Sequence, residues 1–276
     1  YMPGDKIPMQ PDSVIKAFSL DAGREVPVLS LYVVADPETG DDTLLAPFYS
    51  YPAELDRPWV RANMISSLDG GATDDGRAGG LAGPGDRALF GYMRQQADVI
   101  LVGAATVRIE NYSGAQMSAP QRQARQLRGQ AEVPPIAVIT HSADIPHDAK
   151  FFTRTEVPPL ILTSRDSIAD TCRRFTGLAE VIDASGTAPD RVDPHVVLRI
   201  LGERGLKRVL TEGGPSVLNM LIEEDLIDEM CVTIAPILVG GFARRIASGP
   251  GEAHTRLRRS HVLTDTAGYL YTRYVR

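Results

Sequence analysis

Short apolar segments alternate with segments of helical periodicity along most of this 276-residue chain, and this alternation limits the fold more than any other feature. The strand candidates are residues 59–65, 98–102, 136–140, 160–163, 181–183, 208–211, 230–238 and 268–275. The helix candidates are residues 84–97, 104–109, 121–129, 167–175, 194–203 and 215–224. Strands that alternate with helices predict a mainly parallel sheet with helices on both faces, which is a three-layer α/β sandwich.

The two ends of the chain depart from this alternation. From residue 228 onward, a long apolar segment is followed by the Gly240-Gly241 turn, a loop and the alternating segment 268–275, with no clear helix between them. This pattern predicts strands added in the antiparallel direction, so we expect a mixed sheet. Residues 1–55 contain several prolines and one apolar run, 28–34, and are expected to form an extension packed on the main domain, residues 56–276.

Residues 115–135 are rich in Gln, Arg, Ser and Pro. This composition predicts an exposed excursion that contains a polar helix. Arg122, Arg125 and Arg128 are expected to form its solvated face, with contacts to a substrate phosphate as the alternative.

The composition is that of an ordinary globular protein, with 43% hydrophobic and 23% charged residues. A formal net charge of −6 gives no broad electrostatic reason to bind nucleic acid or an anionic membrane. The longest apolar stretches fall short of the roughly 20 residues that span a bilayer. Two distant cysteines and five histidines without metal-ligand spacing predict neither a disulfide framework nor a metal site, and we expect a reduced, cytoplasmic setting.

A glycine-rich turn that carries a carboxylate, residues 211–216, lies between an apolar strand candidate and a helix candidate. Gly213 and Gly214 would let a ligand approach the backbone, and Pro215 suits the first position of the following helix, whose N–H groups can bind an anion. The turn therefore indicates either a phosphate cradle or a turn that needs glycine for steric reasons alone.

Two further segments accompany this turn in a characteristic order. Residues 57–70 form a strand that runs into the Asp69-Gly70 turn, and residues 97–108 form a buried strand, a glycine turn and a short helix. Together with residues 212–241, they resemble the pyrimidine reductase family of riboflavin biosynthesis, whose domain has a dihydrofolate-reductase-like fold. The resemblance covers residues 56–275 and is to a stand-alone reductase, since no His-x-Glu with a later Pro-Cys-x-x-Cys of a zinc deaminase is present in this sequence.

The resemblance implies reduction by NADPH of the ribosyl group of an aminopyrimidine ribosylamino 5′-phosphate to a ribityl group, in an enzyme that is commonly a homodimer. It implies substrate contacts by Arg94, Glu212 and Asn63, and the carboxylates of Glu212 and Asp69 are the catalytic candidates. The implied cofactor positions are Ile65, Gly103, Thr106, Glu110, His141, Gly213, Gly214, Pro215, Ser216, Val217 and Leu218. Arg94 is expected to take the ribose phosphate and Glu212 the ring N–H groups.

Four of these residues have a structural alternative. Glu212 can be a local cap or half of a salt bridge, and Arg94 a solvated arginine on the polar side of a helix. Asp69 can be a turn former, and Thr106 can serve only to open its helix.

Two departures from the family's pattern concern the substrate half of the site. Asn63 stands where the bifunctional enzymes usually carry Lys, and residues 77–81 lack the Ser and Trp of that loop. They leave open a reductase of a related pterin-type substrate such as dihydrofolate, or a non-catalytic NADPH-binding protein. The preference for NADPH over NADH is also left open.

Overall fold

The computed structural model describes residues 45–276 in full and, before them, only the backbone of four short strands. These strands are β1 (Val14–Phe18), β2 (Leu20–Asp21), β3 (Arg24–Glu25) and β4 (Leu29–Tyr32). The backbone of β1 pairs with β4 and with a strand near the C-terminus, while β2 pairs with β3. The rest of the expected extension lies outside the described residues, so its packing on the main domain stays a prediction.

Nine strands and eight helices follow in the fully described part. The strands are β5 (Trp59–Ser67), β6 (Val99–Gly103), β7 (Ile136–Ile139), β8 (Leu160–Thr163), β9 (Glu180–Asp183), β10 (Arg208–Thr211), β11 (Glu229–Ala235), β12 (Arg258–Thr264) and β13 (Leu270–Val275). The helices are α1 (Ala46–Tyr49), α2 (Pro84–Gln96), α3 (Ala104–Ile109), α4 (Ala119–Leu127), α5 (Lys150–Thr153), α6 (Arg165–Arg174), α7 (Pro194–Glu203) and α8 (Pro215–Glu223), with a short 3₁₀ helix at Ala78–Gly80.

The strands form one mixed sheet in the order β4-β1-β12-β13-β11-β5-β10-β6-β7-β8-β9. Strands from β11 to β9 in this order run parallel, and β13, β12, β1 and β4 are added antiparallel, as the alternation pattern predicts. The sequence predicts only a turn and a loop between the long strand and the last strand. This prediction is wrong, because residues 258–264 form the additional strand β12. Its two leading arginines are exposed and only His261 and Leu263 are buried, so the apolar alternation is too short to signal a strand.

Helices cover both faces of the sheet, and the alternation of side chains along β6 shows how. Val99 and Leu101 pack into a cluster with residues of α7 and α8, whereas Ile100 and Val102 pack with residues of α3 and α5 on the opposite face. A strand buried on both faces reads as a continuous apolar run, which explains the sequence of β6. Full burial of each such side chain stabilises the fold by about 1.5–3 kcal/mol.

Helix α2 lies in contact with the antiparallel end of the sheet. Leu89 and Met93 repeat with helical spacing and are buried in the cluster that also contains Tyr271 of β13. At the start of the helix, a Cβ on Gly85 would lie 2.2 Å from the Tyr271 hydroxyl, which donates a hydrogen bond to Asp265. Glycine at this position therefore lets α2 approach β13 closely.

Arg125 of α4 corrects the prediction of a solvated arginine face. Its side chain is fully buried and donates hydrogen bonds to the carbonyl oxygens of Gln95 and Ala97, at 2.8 and 2.6 Å, where α2 ends. Helix ends leave carbonyl groups without intrahelical partners, and a guanidinium satisfies several of them. A helix end buried beneath α4 thus selects arginine at a position that composition alone marks as exposed.

Candidate active site

A cavity of about 940 Å³ opens at the carboxyl ends of the central strands. This volume lies at the upper end of the range for ligand sites, and crevices at strand ends are where open α/β sheets bind ligands. The residues of the sequence prediction that line it are Asn63, Ile65, Arg94, Thr106, Glu110, Glu212, Gly214 and Pro215. The predicted residues that lie outside its lining are Asp69, Gly103, His141, Gly213, Ser216, Val217 and Leu218.

The glycine turn after β10 meets the turn after β6 at the floor of the cavity. The Gly103 amide donates to the Gly213 carbonyl over 2.8 Å, and a Cβ on Gly214 would lie 2.5 Å from Oγ1 of Thr106. Glycine at 214 therefore keeps the two turns in contact, which is the steric role that the sequence left open. The Thr106 hydroxyl and the Gly214 backbone face the same cavity.

Helix α8 begins at this turn, with Gly214 as its N-cap and no side-chain cap. The Leu218 amide donates to the Gly214 carbonyl over 2.9 Å, so the amides of Ser216 and Val217 precede this i→i−4 bond at the helix N-terminus. The Val217 and Leu218 side chains point into the core. A ligand contact by Val217 would therefore use its backbone N–H group, whereas the Leu218 N–H is already bonded within the helix.

Arg94 and Glu212 are joined in a buried, bidentate ion pair. Nε of Arg94 lies 2.6 Å from Oε1 of Glu212, and Nη2 lies 2.7 Å from Oε2. The Tyr112 hydroxyl donates a third hydrogen bond to Oε2, over 2.6 Å. The guanidinium carbon lies 4.3 Å from the centre of the Phe90 ring. The structure thus shows the salt bridge that was the alternative for Glu212, and the substrate contacts of both residues stay predictions.

Burial and charge act in opposite directions on this pair. Burial by itself lowers the pKa of Arg94, but the adjacent Glu212 carboxylate outweighs it and the pKa is raised overall. Burial also raises the pKa of the Tyr112 hydroxyl, and the negative charge of Glu212 raises it further. Tyr112 therefore stays protonated and donates to Glu212 at all ordinary pH values.

Asp86 is a cavity carboxylate that the sequence reasoning missed. It lies in the first turn of α2, lines the cavity and forms no ion pair among the described residues. Burial raises the pKa of Asp86, which a hydrogen bond with Thr233 partly offsets. An aspartate in a first helical turn is usually explained by its interaction with the helix dipole. For this reason the sequence pattern did not indicate that Asp86 also lines the cavity. The usable signal was its place directly after Gly83-Pro84-Gly85, a turn that brings the backbone close to the sheet.

Asp69 lies outside the cavity and holds a neighbouring loop. Its Oδ2 accepts from the Gly240 amide over 2.7 Å, and its Oδ1 accepts from the Val239 amide over 3.2 Å and from the Ser67 hydroxyl over 2.5 Å. The Ser67 bond and the two backbone bonds lower the pKa of Asp69 to about 2. This geometry favours the turn-forming alternative, and a catalytic role for Asp69 stays a prediction.

Glu110 connects the cavity wall to the loop above it. Its Oε1 accepts from the Ala78 amide over 2.8 Å and its Oε2 accepts from the Gly79 amide over 3.4 Å. These bonds fix the start of the 3₁₀ helix, Ala78–Gly80, beside the cavity. The predicted cofactor contact of Glu110 stays a prediction, and the carboxylate has this second function in the structure.

His141 lies at a different place. It lines a shallower depression of about 600 Å³ with Ser142, Asp166 and Ser167, where β7 and β8 end. The structure thus does not bring His141 to the main cavity, and its predicted cofactor contact stays a prediction.

Residues 45–276 contain no group of three His, Cys, Asp or Glu side chains that could hold a metal ion. A search of the same residues finds no helix with the length and hydropathy of a membrane span.

Known proteins resemble this chain in sequence. The chain is 29% identical over 186 residues to the 2,5-diamino-6-ribosylamino-4(3H)-pyrimidinone 5′-phosphate reductase of Archaeoglobus fulgidus, which covers 67% of this chain and 83% of that protein. It is 28% identical over 224 residues to the protein of the same name from Methanothermobacter thermautotrophicus, covering 78% and 98%.

A solved structure and a family model agree with these relatives. The crystal structure of a pyrimidine reductase-like protein from Corynebacterium diphtheriae superposes with a TM-score of 0.72 at 26% identity, covering 79% of this chain and 91% of that one. It confirms the expected mixed, reductase-like α/β fold. Residues 58–271 match the model of the RibD C-terminal domain. The chain therefore belongs to the RibD C-terminal domain family.

Proposed function

We propose that this protein is an NADPH-dependent reductase of riboflavin biosynthesis, which converts the ribosyl group of an aminopyrimidine ribosylamino 5′-phosphate to a ribityl group. The observation that carries the proposal is one cavity that combines two kinds of group: a glycine turn at a helix N-terminus, and the carboxylates of the half-buried Asp86 and the buried Glu212. The relatives named above are reductases of such a compound. We also expect a cytoplasmic homodimer.

The glycine turn fits a dinucleotide. Gly214 and Thr106 both line the cavity, and α8 begins at Gly214 with no side chain capping its first amides. Backbone N–H groups at a helix N-terminus are suited to pyrophosphate, and Thr106 adds a hydroxyl donor. When bound, NADPH supplies the hydride of the reaction. The residues of this chain supply binding and alignment.

The Asp86 carboxylate fits the edge of a 2-amino-4-oxopyrimidine. Such a ring presents two adjacent donors, the 2-amino group and the ring N3–H, and a carboxylate presents two adjacent acceptors. A ring with a 2-oxo group presents an acceptor in place of the amino donor and leaves one carboxylate oxygen unsatisfied. Because a site that loses a buried hydrogen-bond partner rejects the analogue strongly, we propose that the 2,5-diamino compound is preferred over its deaminated 2-oxo form.

The reaction adds one hydride to C1′ of the ring-opened imine and one proton to the adjacent nitrogen. Holding the two carbons in contact can supply several kcal/mol of the rate enhancement. Glu212 enters the reaction already ordered by Arg94 and Tyr112, so binding of the ring does not have to immobilise it. We expect water to supply the proton, so the reaction does not need a dedicated general acid.

Oxidation of NADPH, followed by its absorbance, tests the proposal with three substrates: the 2,5-diamino ribotide, its 2-oxo form and dihydrofolate, whose pterin has the same 2-amino-4-oxo edge. We expect turnover of the diamino ribotide and a smaller kcat/KM for the 2-oxo form. Asp86→Asn should lower kcat/KM for the diamino ribotide by about 100-fold, which is about 2.7 kcal/mol. Asp166→Asn is the matched control, because Asp166 also lies in a first helical turn but away from the cavity.

Two results would contradict the proposal. If the protein reduces dihydrofolate but neither ribotide, its substrate is a pterin and not the proposed pyrimidine. Binding of NADPH without turnover of any of the three compounds would favour a non-catalytic protein. Equal kcat/KM for the diamino and 2-oxo ribotides would leave the reductase in place and remove the role given to Asp86.

A further inference from the structure

Few positively charged side chains line the cavity, and one of them is already paired with a carboxylate. The basic side chains that line it are Arg87, Arg94 and Arg244. The Arg94 guanidinium uses Nε and Nη2 on Glu212, and its charge is matched by that carboxylate. Arg87 and Arg244 form no ion pair with any described residue, and both are exposed. A doubly charged phosphate that enters this cavity therefore finds guanidinium groups without an ion pair among the described residues at Arg87, beside the Asp86 carboxylate, and at Arg244.

Arg244 is presented to the cavity by a segment that is firmly held. We call residues 239–244 the arm. The Asp69 carboxylate accepts from the Val239 and Gly240 amides at the start of the arm. At its end, the Arg244 carbonyl accepts from the Ala72 amide over 2.7 Å. The backbone of Arg244 is thus held in place, while its side chain forms no hydrogen bond or ion pair with residues 45–276.

Gly71 provides an independent sign that this placement is built into the fold. A Cβ at Gly71 would lie 2.6 Å from a Val239 methyl and 2.9 Å from Cβ of Ala243, so the arm packs directly on the backbone of the segment after β5. Asp69, Gly71 and Ala72 follow one strand and hold one arm. The exposed aspartate that was expected to be catalytic has a positioning function in this arrangement.

We propose that Arg244, together with Arg87, binds the 5′-phosphate of the substrate, and that Asp69 positions the arm that carries Arg244. The inference rests on the proposed function and adds its phosphate site. A phosphate monoester carries a charge close to −2 at neutral pH, and guanidinium groups bind it through paired N–H donors.

The substrate is favoured over the cofactor by the position of the arm. The two glycine turns follow β10 and β6, whereas the arm follows β11, and β5 separates β11 from β10. Two strand spacings of about 4.8 Å therefore lie between the end of β11 and the glycine turn after β10. The arm lies on the side of the cavity away from β6.

Arg244→Gln and Arg87→Gln test the proposal against Arg245→Gln, which removes the same charge from an exposed neighbour that does not line the cavity. KM is measured for the ribosylamino 5′-phosphate, for its dephosphorylated form, for NADPH and for NADH. Each cavity variant should raise KM for the phosphorylated substrate by about tenfold or more, the value of one lost charge-assisted hydrogen bond. KM for the dephosphorylated form and the NADPH-to-NADH preference should stay within about twofold of wild type, and Arg245→Gln should change none of these values.

Other patterns overturn the inference. An equal rise in KM for both substrate forms would assign a structural role, and a lost preference for NADPH over NADH would assign the arginines to the cofactor. If the wild type turns over no ribotide, calorimetry with ribose 5-phosphate separates the two proposals. Binding by the wild type that Arg244→Gln abolishes would keep the phosphate site although the proposed function had failed, and absence of binding would remove both.

Discussion

Replacement of Glu212 by glutamine should destabilise the protein by about 3 kcal/mol, since removal of one partner from a buried ion pair typically costs 3–5 kcal/mol. The Glu212 side chain is 2% exposed and receives two hydrogen bonds from Arg94 and one from Tyr112. A glutamine retains one acceptor oxygen but turns an amide donor toward one of these donors. The Arg94 side chain is 16% exposed, so some water reaches the unpaired guanidinium and places the expected loss at the lower end of the range.

Chemical denaturation of the wild type and of Glu212→Gln measures this loss directly. The i,i+4 pair of Arg199 and Glu203 supplies the control, because both side chains are more than half exposed, at 58% and 62%. Glu203→Gln should change the free energy of unfolding by less than about 0.5 kcal/mol. A double-mutant cycle with Arg94→Met isolates the pair, and we expect a coupling energy above about 1.5 kcal/mol.

Two measurements would refute this reasoning. A loss below about 1 kcal/mol for Glu212→Gln would show that the pair is as weak as an exposed one. In kinetics, Glu212→Gln should reduce turnover of the pyrimidine more than affinity for NADPH. Equal losses in both would remove the substrate role that the resemblance implies for Glu212.

Two further predictions concern the turn and the acid side of the stability profile. Gly214→Ala should raise the Kd for NADPH by at least about tenfold, because the new Cβ would lie 2.5 Å from Thr106 Oγ1. Gly91→Ala is the control and should leave this Kd unchanged, because a Cβ there has no neighbour within 4 Å. Equal Kd values for the two variants in a fluorescence titration would show that the turn is not the cofactor site. His261 is buried against Phe48 and Tyr49. Its burial and, to a smaller extent, the charge of Arg273 lower its pKa from 6.5 to about 4. Between pH 4 and 6.5, His261 is therefore protonated in the unfolded state but neutral in the folded state. Stability should therefore fall as the pH drops from about 6.5 to 4, by up to about 3 kcal/mol more in wild type than in His261→Phe, and parallel pH profiles of the two would contradict this.

The sequence predicted the parallel half of the fold well and the antiparallel half in outline. Strands such as β6 are buried on both faces, so their continuous apolar sequence is unambiguous. In β12, burial of only His261 and Leu263 depends on the neighbouring strands β1 and β13, which are far away in sequence. The signal for such a strand is in its partners rather than in its own residues.

Within the site, backbone-determined features were easier to predict than side-chain partnerships. The glycine turn is visible in the sequence because the contact with Thr106 requires glycine at position 214. The pairing of Arg94 with Glu212 joins residues 118 positions apart, and no local pattern records it. Asp86 was overlooked for the same reason, since its partial burial and its contact with Thr233 come from the sheet beneath α2 and not from α2 itself.

The close contact between Gly85 and Tyr271 has a consequence for how relatives of this protein can diverge. Asp86, the next residue, is carried at a fixed depth by that contact, because a Cβ at position 85 would collide with the tyrosine hydroxyl at 2.2 Å. Substitutions at these two positions should therefore co-vary: a homologue with alanine in place of Gly85 is expected to carry a residue without that hydroxyl in place of Tyr271. Pairs that break this rule should show α2 displaced from β13, together with a changed preference for the ring of the substrate.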